Sequence, residues 1–597
     1  MSVHHSRQRD FTADRRLPML CAVAAGIGVC STFAAWLLLA LIHFFTNLFF
    51  FQTLSLADRS PAQHVLGAIV ILIPIVGGLI VGLIARFGSD KIRGHGIPEA
   101  IEAILYRKSM LSPKVALLKP LASGIAIGSG GPFGAEGPII MTGGAVGSLI
   151  AQYLSLSAGE RKSLLVAGAV AGMTAVFGTP LAAVLLAVEL LLFEWRPRSL
   201  LPAIVACTVA GFVRPLLIAS GPMFPLQTAA ITLSMLPICV LCGLLAGLAA
   251  ALMSSLLYRT EDLFAQLPVH WMWWPAIGGL IVGLGGWLEP RALGVGYSVI
   301  DAFLNNRFVL DSVISIVIAK AIIWVFALAS GTSGGVLAPL LMMGAGLGAI
   351  VAHFVPEVAG LPPMWPLICM AAMLAAALGV PLTATVFAIE LTGNFNALLP
   401  LLLACGLAHG LTVLLMRRSI MTERIARRGL HVHREYSIDP HEQTPVADVM
   451  NVPICIPGQL TLSAVTAEFF GREQHHRRYP VVNDDGRLLG IIDEAFLQQA
   501  KGHETIARSA EQSLSDLFSA ADADVFALPH ETCQSAIRRM AVQDRKCLPV
   551  VRAANDRTVI GFLSAADLIK PAHAGFHEEH VRERVWGLGK MALKRSE

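Results

Sequence analysis

Residues 129–138 read SGGPFGAEGP, and residues 178–190 read GTPLAAVLLAVEL. The same order returns further on, as SGGVLAP at 333–339 and GVPLTATVFAIEL at 379–391. Ser129 and Ser333 lie 204 positions apart, and Pro180 and Pro381 lie 201 apart. In each half a glutamate, Glu189 or Glu390, follows the proline by nine residues. Glycine-rich breaks with matching downstream helices in two halves are the pattern of a duplicated transporter fold with its site at the repeat interface.

The surrounding composition agrees. The chain has 597 residues, 55% hydrophobic and only 14% charged, which excludes a disordered chain and argues against a wholly soluble one. Charge is unevenly placed. Residues 1–430 carry 26 Lys and Arg against 18 Asp and Glu, whereas residues 431–597 carry 19 against 23. A charge-poor body therefore precedes a tail of ordinary aqueous composition. Without a basic block, a nucleic-acid partner is not expected. The ten cysteines are scattered, and the close pair Cys239 and Cys242 sits in an apolar run, as buried thiols do.

Residues 18–50, 65–86, 199–219, 231–257, 272–288, 309–329 and 397–416 read as spans of a hydrocarbon layer about 30 Å thick, in contact with lipid. The first is too long for a cleaved signal peptide. Residues 94–107, 115–150, 161–194, 331–354 and 364–391 are shorter and interrupted by Gly and Pro. Broken helices survive at membrane depth only where protein buries them or where they line a pathway. Arg7, Arg9, Arg15 and Arg16 precede the body, and Arg417, Arg418, Arg424, Arg427 and Arg428 end it. Positive-inside logic puts both ends, and so the tail, in the cytoplasm.

Three glycine-bearing breaks open apolar helices: GHGIPEA at 94–100, GAEGPII at 134–140 and GGVLAPLL at 334–341. Free N–H groups and the helix dipole make each start attractive to an anion. Three starts converging in mid-membrane would hold a small anion without a full countercharge. Glu136 sits inside one of these starts. Ionised, it can occupy the anion site itself; protonated, it loses that attraction and can swing away. An ionisable side chain at such depth is expensive and functional by default.

Together GxGIP, GxEGP, GGxxxP and the paired P-x8-E helices resemble the CLC chloride channel and transporter family over residues 18–430. The resemblance implies an all-α polytopic membrane domain of two inverted repeats, a homodimer with one anion pathway per subunit, and no enzymatic activity. It implies anion contacts at His95, Gly96, Ile97, Gly134, Glu136, Gly137, Val336, Leu337 and Met421, with Glu136 as the gate and Lys119 as a buried electrostatic lysine. Voltage-gated behaviour belongs to the same implication, as does a cell inner or plasma membrane location.

The chain departs from the family pattern at five residues. His95 stands where the family has a serine, and Met421 where it has a tyrosine. Ala135 and Leu337 replace an arginine and a phenylalanine. Leu190 replaces the glutamate that passes protons on the inner side of family antiporters. Chloride or a similar small anion is the expected cargo. A passive channel gated by protonation of Glu136 is favoured over a chloride/proton antiporter, because Leu190 cannot carry a proton. Glu189 reads as a structural acid. An intramembrane enzyme would need a second acid or a metal motif, and no HExxH occurs. A cation transporter would need more intramembrane acids than this body has.

The tail repeats a pattern of its own. VADVM, RYPVVNDDG and LLGIID fall within 444–500, and LSDLF, KCLPVVRAANDR and VIGFLSAADLI within 513–571. Each set carries helix, strand, turn and strand signals, and the two resemble a CBS pair of α/β modules. They are flanked by an N-terminal cytoplasmic segment at 1–17, ahead of the membrane domain, and a C-terminal tail at 572–597. The resemblance implies a possible adenine-nucleotide site, for which Ser564 and Asp567 keep the spacing in the second module while Asp493 and Phe496 break it in the first. No cofactor is required, and no metal pattern is present: His475 and His476 lack ligand spacing.

Overall fold

The structure is a computed structural model that describes residues 15–229, 232–355, 363–430, 432, 440–470, 476–502, 513–519 and 522–571. Residues 1–14, His475 and the segment 572–597 lie outside the described residues. The chain divides after Leu430 into two compact units, a helical body and a tail.

In the body, α1 (Leu17–Phe51), α2 (Leu72–Phe87), α3 (Ile97–Tyr106), α4 (Pro113–Gly128), α5 (Glu136–Tyr153), α6 (Ala158–Phe177), α7 (Pro180–Leu186) and α8 (Pro197–Leu217) form the first half. The second half repeats them in order as α9 (Leu236–Ala265), α10 (Trp274–Leu288), α11 (Tyr297–Leu304), α12 (Leu310–Ala329), α13 (Leu337–Ala352), α14 (Trp365–Leu378), α15 (Pro381–Thr392) and α16 (Leu398–Leu415). A short helix, α17 (Ile420–Arg427), closes the body. Among the described residues six helical stretches are long and apolar enough to cross a membrane, and the protein is an integral multi-pass membrane protein.

The expected span at 272–288 is helical throughout, a 3-10 turn at Trp271–Trp273 running straight into α10. Its glycines serve close packing. A Cβ on Gly279 would run into Pro74 O of α2, and a Cβ on Gly78 into Pro275 O of α10. Such reciprocity, i on j and j on i, is what a two-fold axis between the halves produces. The broken stretches are broken where the sequence places the breaks. α4 gives way to α5 through residues 129–135, and α13 begins at Leu337. Gly178 (φ 72°) and Gly379 (φ 73°) end α6 and α14 in the left-handed region, which costs glycine nothing.

Helix starts differ in how they are satisfied. α6 has a full capping box, with Ser157 and Glu160 bonding each other's backbone N–H. The starts of α3, α5 and α13 follow Gly96, Ala135 and Val336, and no N-cap side chain bonds them. Their free donors point to whatever the rest of the fold brings there.

In the tail, β1 (Ile456–Pro457), α19 (Leu462–Glu468), β2 (Arg478–Val482) and β3 (Leu488–Asp493) make the first module after a short α18 (Pro440–Gln443), and α20 (Glu494–Gly502) follows them. The second has α21 (Cys533–Val542), β4 (Cys547–Val551) and β5 (Val559–Ser564). β2 and β3 run antiparallel with Tyr479 opposite Ile492, and β4 and β5 likewise with Leu548 opposite Leu563. VADVM and LSDLF contribute only 3-10 turns, Val446–Asp448 and Leu514–Asp516. Five residues suffice for one turn, and the module helices come from α19 and α21.

Candidate functional site

The three helix starts singled out in the sequence meet. Gly134 and Gly335 pair as an antiparallel bridge, with Gly335 N–H donating to Gly134 O at 2.9 Å and Gly134 N–H to Gly335 O at 3.3 Å. Gly137, on the first turn of α5, is packed so tightly that a Cβ would strike His95 O and come within 3.3 Å of Gly335 Cα. One residue thus touches the α3 and α13 starts together.

Glu136 is fully buried at this junction. Its Oε1 accepts the Ala338 N–H of α13 at 2.9 Å, across 202 positions of sequence. The helix start that lacks a cap of its own is therefore capped by a carboxylate from the other repeat. The carboxylate lies in a cradle. The three atoms nearest a Cβ on Gly134 would all belong to it, and a Cβ on Gly335 would sit 2.7 Å from its Cδ. A carboxylate oxygen on free helix N–H groups stands in for a small anion, because both are held by the same donors and dipole.

Two buried lysines frame the junction symmetrically. Lys119 Nζ donates to Ile92 O (2.8 Å) and Gly94 O (2.7 Å); Lys320 Nζ donates to Ala292 O (3.0 Å) and Gly294 O (2.6 Å). Each ammonium thereby holds the loop that opens α3 or α11. Ser123 and Ser333 hydroxyls bond each other at 2.8 Å behind the breaks. Lys320 escaped the sequence reading although a signal existed. It lies 201 residues after Lys119 and is the lone basic residue of an apolar helix.

The paired P-x8-E motifs have a structural role. Glu390 accepts the N–H groups of Leu181 (3.0 Å) and Ala182 (2.8 Å) at the start of α7. Glu189 accepts those of Leu382 (3.3 Å) and Thr383 (2.8 Å) at the start of α15, together with the Thr383 hydroxyl (2.6 Å). Each glutamate caps the other repeat's helix. Glu189 and Leu190 sit on a π-helical turn, Ala187–Leu192, and Leu190 is fully buried.

Comparison with known proteins places this geometry. A family model described as voltage gated chloride channel matches residues 77–412, and a CBS domain model matches 446–495. A voltage-gated ClC-type chloride channel, ClcB, of Escherichia coli O17:K52:H18 is 31% identical over 60% of this chain and 87% of its own length. The chain belongs to the CLC family. A second CLC relative, a ClcB-like putative chloride channel protein of Ralstonia nicotianae, is 29% identical over 56% of this chain and 80% of its own. Among solved structures, a slow cyanobacterial Cl-/H+ antiporter superposes with TM-score 0.63 at 22% identity, covering 69% of this chain and 98% of that one. A eukaryotic CLC transporter gives 0.60 at 18% identity and covers 92% of this chain and 98% of its own. These likenesses establish the CLC fold with a C-terminal CBS pair, and chloride transport as the family's activity.

The remaining sequence-derived CLC residues fall as follows. His95 is 2% exposed, next to Gly96 at the α3 start, and Met421 is fully buried on α17. Gly96 and Ile97 open α3, and Val336 and Leu337 open α13. Cys239 and Cys242 are buried free thiols. Among the described residues no cluster of His, Cys, Asp and Glu has the makings of a metal site.

Within the tail, Ser564 and Asp567 bond each other. The Asp567 carboxylate accepts the Ser564 N–H (2.9 Å) and hydroxyl (2.6 Å), Asn451 Nδ2 (2.7 Å) and Lys570 Nζ (2.8 Å). Burial opposes its ionisation, but these donors outweigh burial and hold the carboxyl below the ordinary aspartate range. Both residues line a cleft of about 230 Å³ shared with Arg477, Arg478 and Lys546.

Proposed function

We propose that this protein is a passive chloride channel, one pathway per subunit of a homodimer, opened by protonation of Glu136. The observation that carries the gate is the Glu136 carboxylate lodged on the Ala338 N–H at the meeting of three uncapped helix starts. A bound anion and this carboxylate compete for the same donors. Neutralising the carboxylate removes its attraction and leaves the donors to chloride. The homodimer and the cytoplasmic placing of both termini rest on the family resemblance and on the arginines flanking the body.

Passive conduction is favoured by the inner side. Leu190 offers no proton acceptor, and the adjacent acid, Glu189, is engaged by three donors at the start of α15. The second reading is a chloride/proton antiporter with water or another acid serving the inner leg; the solved neighbours described as antiporters favour it. The test is the reversal potential of the reconstituted protein under a pH gradient. A passive channel reverses at the chloride equilibrium potential. A displacement that follows the proton gradient overturns the passive reading and establishes coupling.

A further inference from the structure

A fourth glycine-bearing helix start lies beside the gate and has no part in it so far. GVGYS at 294–298 repeats GHGIP at 94–98 from the first half, and Gly96 (φ 87°) and Gly296 (φ 85°) share one backbone conformation. Where the first half has Ile97, the second has Tyr297, the first residue of α11. Gly294 N–H donates to Gly130 O at 3.0 Å, and Lys320 Nζ donates to Gly294 O at 2.6 Å. The α11 start is thereby tied to the break that leads into Glu136.

Tyr297 and Ala135, the residue before the gate, line one cavity of about 290 Å³ at the C-terminal end of α1. Two rings hold the phenol. Phe177, at the end of α6, meets it edge-on with centroids 6.5 Å apart, and Phe224 lies at 6.1 Å. The phenol oxygen is buried and has no hydrogen-bond partner. A buried hydroxyl left unpaired is costly, and it marks a place where an acceptor belongs. The charged groups that face it are Glu136 and Asp58. Asp58 is exposed and lies 3.6 Å from His43. Arg59, also on the cavity wall, is exposed and stacks over Phe51 at 5.4 Å. Lys320, which faces Glu136 from α12, spends its ammonium on Ala292 O and Gly294 O. Glu136 has the matching need. Its Oε2 is buried without a partner, and once off the Ala338 N–H the whole carboxyl needs a donor.

We infer that the Tyr297 hydroxyl is the outer station of the gate, donating to the Glu136 carboxyl once that group has left the Ala338 N–H. The inference rests on the Glu136 gate proposed above. Because the hydroxyl bonds nothing while the carboxyl is lodged, it favours the open arrangement alone. Tyr297 is thus a positioning residue that sets how much acid opens the pathway.

Chloride efflux from proteoliposomes across a pH series tests this on wild type, Tyr297→Phe, Glu136→Ala and the double variant, with thermal unfolding recorded for each. Y297F keeps both ring contacts and removes only the oxygen. Losing one neutral hydrogen bond from the open state lowers the open fraction about threefold to tenfold, so the midpoint of acid activation should fall by about half to one pH unit. The double variant should conduct like E136A, within about twofold. An unmoved midpoint in folded Y297F overturns the inference and leaves the gate standing. So does a Y297F effect that persists in the E136A background, because the hydroxyl then acts on the ion path and not on the carboxyl. Acid dependence that survives in E136A removes the gate itself, and the inference with it. A crystal structure of Glu136→Gln, which mimics the protonated carboxyl, locates the arm. An amide oxygen within hydrogen-bond distance of Tyr297 Oη supports the assignment, and an arm still on the Ala338 N–H or turned elsewhere refutes it.

Discussion

Gly134→Ala isolates the gate. The three atoms nearest the added methyl all belong to the Glu136 carboxylate, the far end of a flexible side chain, so the backbone need not move. Gly134 is not in the left-handed region, so alanine adds no backbone strain. The methyl and the carboxylate cannot share the cradle, and Glu136 must leave the Ala338 N–H it holds at 2.9 Å. A hydrogen bond to a charged group is worth about 1.5–3 kcal/mol, which is roughly a tenfold to hundredfold shift of the closed-to-open equilibrium. The assay is chloride efflux from proteoliposomes across a pH series. G134A should conduct at neutral pH nearly as well as Glu136→Ala, with the acid dependence flattened. The double variant G134A/E136A should add nothing, because both changes remove one interaction. Wild-type efflux and acid dependence in folded G134A, or full additivity in the double variant, would refute the reasoning that the lodged carboxylate is the block.

The other expectations concern the frame around the gate and the tail. Lys320→Met strands the carbonyls of Ala292 and Gly294 in a dry interior. It should lower the unfolding temperature in detergent by an amount equivalent to several kcal/mol, and Lys119→Met should match it by symmetry. Glu390→Gln can accept only one of its two backbone donors well, for a loss of about 1 kcal/mol; Glu189→Gln should cost at least as much while leaving the reversal potential unmoved, as checked by thermal unfolding and by voltage clamp. In the tail, the Asp567 carboxyl is held below its unfolded value, so its contribution is present above the unfolded pKa and is lost as pH falls through the folded one. Acid unfolding of the tail as pH falls below the ordinary aspartate pKa of about 3.9 should therefore lose its Asp567 component in Asp567→Asn, as followed by circular dichroism. If the cleft takes an adenine nucleotide, Lys546→Ala should weaken ATP binding measured by equilibrium dialysis while leaving the Ser564–Asp567 turn folded.

Much of this was legible without coordinates. The two P-x8-E motifs and the glycine breaks located the repeat, and Glu136 stood out because an acid inside an apolar helix start has few bland explanations. Glu189 was readable as a structural acid. What Glu189 caps was not, because its partner on α15 is 194 positions away. In the tail, VADVM had the residues of a helix but only the length of a turn.

Local sequence determined where helices start and stop, since glycine, proline and capping chemistry act within a few residues. It also determined that the starts of α3, α5 and α13 carry no cap of their own. Only the tertiary structure decided what fills those starts. The Glu136 carboxylate reaches Ala338 across 202 positions, and Arg424, beyond the second half, rests on Gly94 of the first. These contacts join the two halves, and chain separation on that scale leaves no local pattern to read; the two-fold packing of the repeats brings the groups together.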